Sequence, residues 1–215
     1  MKNIILTILL FYTVAFVWGQ NQEEKKGGAG FGIIFANDFN AKMTRKGTHS
    51  NTPFAHDSKV NAFNVGLFAY GDFVYVEMVF GIFYGGGAIN IDQSSAQNGY
   101  FQFVGTDIGL YGKYPFIISE KITLFPLLGM DYQPTFFALY DDFEMAEAGI
   151  AWNQFWFKAG GGIDYKLKNN LHLRFEVLYG IRMANETENK LDDSSILLNN
   201  TSIGHGFTVR IALGI

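Results

Sequence analysis

Between Leu171 and Met183 apolar and polar side chains alternate almost without a break. Leu171, Leu173, Phe175, Val177, Tyr179, Ile181 and Met183 fall on one face, and His172, Arg174, Glu176, Leu178, Gly180 and Arg182 on the other. Successive side chains of a strand point to opposite faces, so this period of two predicts one strand between two different surroundings. Seven large apolar groups are too many for water, and the opposite face is too polar for an ordinary core. A strand in a small transmembrane barrel meets both demands, with lipid outside and a packed polar interior.

Seven further segments repeat the pattern. They run about Ala29–Asn37, Asn61–Tyr70, Phe73–Tyr84, Phe101–Phe116, Lys121–Gln133, Gln154–Leu167 and Ile203–Ile215. Short turns are expected at Gly71-Asp72, a two-residue hairpin signal, at Ser119-Glu120 and at Lys168-Asn169-Asn170. The other connections, Asp38–Val60, Gly85–Tyr100, Pro134–Asn153 and Asn185–Ser202, read as long loops, with Gly85-Gly86-Gly87 as a mobile loop base. Long loops alternating with short turns predict an all-β fold: an eight-stranded antiparallel up-and-down transmembrane β-barrel over residues 29–215. Most segments exceed the roughly 9–11 residues a tilted strand needs to cross a bilayer.

A soluble barrel shows the same period with its apolar face inward. Two features choose the opposite orientation. The polar face is rich in glycine (Gly66, Gly81, Gly105, Gly109, Gly129, Gly160, Gly162, Gly180, Gly214). Glycine weakens an exposed strand but makes room inside a barrel whose interior is only wide enough for side chains. The same face carries both signs of charge: Glu77, Asp107, Asp131, Asp164 and Glu176 against Lys113, Lys158, Arg174, Arg182 and Arg210. Buried charges must be paired, and a mixed set permits it; these ten residues are the expected lumen polar network. Tyr84, Tyr114, Tyr132, Tyr165 and Tyr179 on the apolar face suit interfacial girdles.

Composition adds an address. Residues 1–19 carry Lys2, an uncharged apolar run from Ile4 to Trp18, and Val17-Trp18-Gly19 before Gln20, the pattern of a secretory signal peptide. Residues 20–28 read as a charged periplasmic lead-in. No cysteine is present, so neither a disulfide nor a lipid-modified cysteine is available. Without Lys2 the 16 basic residues fall to 15 against 20 acidic, a net charge near −5 that argues against a nucleic-acid partner.

The last three segments resemble a known family. Ala159-Gly160-Gly161-Gly162-Ile163-Asp164-Tyr165-Lys166-Leu167, then Asn169-Asn170-Leu171-His172-Leu173-Arg174-Phe175-Glu176, and Arg210-Ile211-Ala212-Leu213-Gly214-Ile215 are similar to the C-terminal hairpins of small eight-stranded outer-membrane proteins, the barrel of outer membrane protein A and its small relatives. The resemblance implies the bacterial outer membrane after signal-peptide cleavage, with outer-membrane lipid and the barrel-assembly machinery as partners. It also implies an assembly signal in the last strand, here Phe207, Val209, Ile211, Leu213 and Ile215. The family's signal usually ends in an aromatic residue, whereas Ile215 is aliphatic.

Candidate chemistry is sparse. His172 and Glu176 lie four apart with Arg174 between, a histidine–carboxylate pair; no serine nucleophile shares their strand, and a lumen network is the expected role. Asp141, Asp142, Glu144 and Glu147 form an acidic loop patch without the spacing of a dedicated calcium loop. Lys42, Arg45, Lys46, His49, His56 and Lys59 form a basic patch in the first loop. No catalytic residue, metal or cofactor is expected. The expectation is a non-enzymatic barrel that stabilises the envelope or presents loops to an unidentified extracellular partner. The alternatives are a narrow pore or carrier for small or hydrophobic solutes, and a soluble exported barrel that binds lipid.

Overall fold

A computed structural model of the chain describes residues 27–49, 52–91, 98–141, 154–168, 170–183, 187–190 and 197–215. The expected signal peptide, the charged lead-in up to residue 26 and Asp142–Glu147 lie outside the described residues. The strands are β1 (Gly28–His49), β2 (Thr52–Asp72), β3 (Val76–Ile91), β4 (Asn98–Lys113), β5 (Phe116–Ser119), β6 (Ile122–Gln133), β7 (Thr135–Asp141), β8 (Gln154–Lys166), β9 (His172–Met183), β10 (Thr187–Lys190) and β11 (Leu197–Gly214). Their pairing closes a ring, β1–β2–β3–β4–β6–β8–β9–β11 and back to β1, with every neighbour antiparallel. This is the expected closed barrel of eight staves. Closure gives each stave a partner on both edges, which an open sheet in hydrocarbon could not do.

The remaining strands are extensions. β7 continues the stave of β6 beyond Pro134, and both pair with β4. Pro134 has no N–H to give the ladder. Its carbonyl instead accepts from the Thr106 N–H at 3.0 Å, and the register slips between Val104 and Gly105. β5 folds onto β6, and β10 onto the upper part of β11.

The face assignment holds around the ring. On β9, Leu173, Phe175, Val177, Tyr179 and Ile181 are exposed, while Arg174, Glu176, Leu178 and Arg182 are buried. On β3, Met78, Phe80, Ile82 and Tyr84 point out, and Glu77, Val79 and Phe83 point in. The apolar face is outward, so a soluble barrel enclosing a lipid is not what this chain builds.

Two expectations about connections are corrected. The described residues of the segments read as long loops are largely strand: β1 runs to His49, β2 starts at Thr52, β3 reaches Ile91, β4 starts at Asn98, and β7 reaches Asp141. The hydrophobic signal stops where strands leave lipid, but the ladder continues into water. Gly85-Gly86-Gly87 is accordingly mid-strand rather than a loop base. The first turn also moves. Gly71 and Asp72 still pair, with Met78 and Glu77, and the chain reverses at Phe73–Tyr75. Asp72 accepts the Val74 N–H at 3.0 Å, and Val74 takes a positive φ of 71°. The local carboxylate bond pins a bend that the Gly-Asp pair would otherwise have made. The other two turns fall at Glu120-Lys121 and at Asn170, whose φ is 62°.

Candidate functional site: the lumen

Inward positions fill the barrel in layers from the short-turn end. At the mouth, the Tyr70 hydroxyl and His172 Nε2 lie 2.7 Å apart. Next above the mouth residues, Arg174 is the hub of the first charged layer. Its Nε and Nη2 donate to the two oxygens of Asp164, both at 2.7 Å. Nη1 donates to Glu77 at 2.6 Å, and Nη2 also reaches Asp72 at 2.7 Å. Asp164 is its cross-strand neighbour on β9's β8 side, whereas Glu77 and Asp72 come from β3 and β2 across the tube. Lys113 also bonds Asp72. The Arg174 guanidinium lies 4.2 Å from the Tyr70 ring centre and 5.0 Å from that of Phe125, contacts that favour a desolvated cation.

Arg210 anchors the second layer. It pairs across the ladder with Glu176 and lies 3.5 Å from that carboxylate. Its Nη2 donates to the Tyr111 hydroxyl at 2.8 Å and lies 3.5 Å from Asp131 and 3.7 Å from Asp107. Tyr111 in turn donates to Asp131, which also holds Lys158. Gln133 donates to Asp107 at 3.2 Å. A third pair, Arg182 with Asp38 at 2.7 Å, sits higher. Trp156 stands 5.8 Å from the cationic ends of both Lys158 and Arg182.

All ten residues of the expected polar set therefore face the lumen, and each of their charged groups meets an opposite charge. The sequence reading missed three partners. Asp72 falls in an expected turn and Asp38 in an expected loop, and Tyr111 carries no expected role. The available signal is parity: Asp38 continues the inward series Ile34, Ala36 of β1, and Asp72 the series Phe68, Tyr70 of β2. His172 bonds Tyr70 rather than Glu176, so no histidine–carboxylate pair forms.

The charged layers are sealed by bulky apolar groups. Ile34, Phe68, Tyr111, Phe125, Leu127 and Leu178 are each at most 4% exposed, in the same cross-sections as the arginines. Higher up the lining turns aromatic. Phe101 and Phe103 stack at 5.7 Å, and Phe83 meets Phe103 edge-on at 5.8 Å. Gly85, Gly87 and Gly105 make room for these rings; a Cβ on Gly87 would stand 2.7 Å from Phe101, and one on Gly105 2.5 Å from Phe83. Two cavities flank the seal. One of about 460 Å³ opens at the short-turn mouth beside Lys121, Asp164, His172 and Arg174. The other, of about 20 Å³, lies above it beside Asp38, Gln133, Trp156 and Lys158, space for about one water. Among the described residues no group of three or more His, Asp or Glu side chains is arranged to hold a metal ion.

No protein-family model matches the chain, and no curated protein matches its sequence. Solved structures do. The outer membrane protein OprG from Pseudomonas aeruginosa aligns over 89% of this chain and 96% of its own, at 13% identity and a TM-score of 0.55. The attachment invasion locus protein Ail of Yersinia pestis aligns over 85% of this chain and 99% of its own, at 15% identity and a TM-score of 0.32. The likeness to OprG establishes the fold, that of a small outer-membrane barrel.

Proposed function

We propose that the protein resides in a bacterial outer membrane as a closed, non-enzymatic barrel, which anchors in the lipid and holds its extended hairpins above it. The observation that carries this reading is the seal. Arg174 and Arg210, at most 1% exposed, join carboxylates from opposite walls within a ring of bulky side chains. An ion crossing the lumen would have to displace fixed, paired charges. The extended β1–β2 and β3–β4 hairpins supply the surface on the far side. Export, cleavage near Gly19 and assembly through the last strand belong to the same reading. The test is planar-bilayer recording on pure folded protein. The wild type should show no steady conductance, and Arg174→Ala should admit brief openings. Steady wild-type conductance would refute the seal.

A carrier for small apolar solutes is the second reading. It is favoured by the aromatic lining of Phe83, Phe101, Phe103 and Trp156 above the seal. Uptake of an apolar solute into vesicles that falls on Phe103→Asp, with no ion conductance, would select it.

A further inference from the structure

At the short-turn mouth the lumen side of the ladder is basic. Ile122 pairs with Tyr165. One step nearer the turn, the Lys166 N–H donates to the Lys121 carbonyl at 2.7 Å, which sets the two lysines across from each other. Lys166 pairs in turn with His172 on β9. Lys121 shares the parity of Phe125 and Leu127, and Lys166 that of Trp156 and Lys158, all four of them buried in the lumen. Both lysines therefore belong to the inward series of their strands. Lys121, Lys166 and His172 line the cavity of about 460 Å³, with Thr123 and Asn170 beside them.

The two ammonium groups have no partner of their own. Side chains facing each other across a ladder have Cβ atoms about 4.5–5.5 Å apart, and like charges so placed repel. Among the described residues neither Lys121 nor Lys166 forms a side-chain ion pair or hydrogen bond. The carboxylates on the cavity floor are already held. Asp164 takes Arg174 on both oxygens, and Asp72 takes Arg174 and Lys113. Glu120, exposed on the turn, pairs with neither lysine. An anion between the two lysines would turn their repulsion into a clamp.

The geometry also selects the anion. A lysine ammonium is a compact charge with three rotatable donors, and it binds phosphate as a point charge, without the planar fork that arginine offers a carboxylate. The cavity falls within the roughly 300–1,000 Å³ of small-molecule sites. The lysines face into the tube, whereas acyl chains would lie along its outer face. A soluble phosphate ester reaches them directly, and a lipid phosphate only by bending over the rim.

We propose that Lys121 and Lys166 clamp the phosphate of a small water-soluble phosphate monoester in the short-turn mouth, with Thr123 and Asn170 as hydrogen-bonding neighbours. The inference rests on the closed-barrel reading above, since the layer of Arg174 is the floor that makes the cavity a binding site and not a passage.

The experiment is isothermal titration calorimetry on the full-length protein folded in dodecyl maltoside, with glycerol 3-phosphate as the probe. The heat-dependent gel shift of each sample reports barrel folding separately, so failure of the barrel reading is distinguishable from failure of the site. The wild type should bind one glycerol 3-phosphate per barrel and no glycerol. K121S/K166S should bind at least tenfold more weakly with an unchanged gel shift. Lys166→Ser alone, which leaves the backbone bond to Lys121 in place, should lose part of the affinity and keeps the test open where the double variant does not fold. Lys168→Ser, exposed on the next turn and outside the cavity, should match the wild type. Inorganic phosphate should compete, because it carries the recognised group. Equal affinity in the folded lysine variants, an equal loss in Lys168→Ser, or no competition by phosphate would overturn the proposal. Displacement of the probe by dioleoyl phosphatidic acid in the micelles would make this a lipid site and overturn the soluble-ester assignment.

Discussion

At Arg174 one guanidinium meets Asp164, Asp72 and Glu77, three carboxylates from three strands. Removing the cation would leave Asp164 without its ion pair, Asp72 with Lys113 alone and Glu77 with only Arg210 at 3.9 Å, and a buried pair broken from one side costs about 3–5 kcal/mol. Removing a single acceptor leaves Arg174 with two. Arg174→Met should therefore destabilise the barrel by several kcal/mol, and Glu77→Gln by clearly less, measured as urea unfolding in vesicles with the gel shift as readout. Equal losses would show that the hub is not shared. The glycines can be tested by compensation. Gly105→Ala places a methyl against the Phe83 ring, and overpacking of this kind costs about 1–3 kcal/mol. Adding Phe83→Ala should restore most of that loss. Legibility at this scale followed the alternation. Glu176 and Arg210 could be assigned inward because each lies between outward apolar neighbours. Which charge meets which could not, since Arg174–Glu77 and Arg210–Tyr111 join residues 97 and 99 positions apart in the chain. Only closure of the tube sets those contacts.

The elements were legible where lipid imposes a demand on every second residue and illegible where it stops. Strands β6, β8 and β9 lie mostly within the apolar band, and their observed ends fall within a residue of the ends read from the pattern. β1 and β2 do not. Beyond Asp38 the sequence turns polar at both parities, the period of two loses its contrast, and Lys, Thr, His and Gly residues look like a loop. The backbone pairing nevertheless continues to His49↔Thr52. A register slip between Asp38 and Ala41 also falls in that stretch and shifts the alternation just as the sequence becomes polar. The extended hairpin can be checked covalently, because the chain has no cysteine of its own. Thr44 pairs directly with Asp57, and facing strand positions fall within disulfide reach of roughly 4.4–6.8 Å between Cα atoms. Thr44→Cys with Asp57→Cys should cross-link under mild oxidation. Thr44→Cys with Ser58→Cys, which are one register step out of line, should not. Equal cross-linking of both pairs would indicate a loose loop in place of a ladder.

For the whole molecule the governing fact is which way the two faces point, because every function considered depends on it. A barrel with its apolar face inward would hold a ligand and remain in water. This one turns Phe31, Leu67, Phe80, Ile108, Val177 and Ile211 outward, each more than a third exposed, and buries charges in their place. Burying so many ion pairs stabilises little by itself, since desolvation offsets most of the attraction. The arrangement becomes favourable when the outer surface is covered by hydrocarbon, so the charged lumen and the greasy exterior are one design. The outward residues then set the height of the membrane: Val177 and Ile211 belong in acyl chains, and Lys59, exposed on β2 beyond Phe63 and Asn61, belongs in the head-group region. Nitroxide labels at these three positions, introduced singly through cysteine in the folded protein in vesicles, should separate by relaxation agent. Val177 and Ile211 should respond strongly to oxygen and weakly to a water-soluble nickel chelate, and Lys59 should show the reverse order. A label at Val177 more sensitive to nickel than one at Lys59 would invert the two faces, and the seal would fall with it.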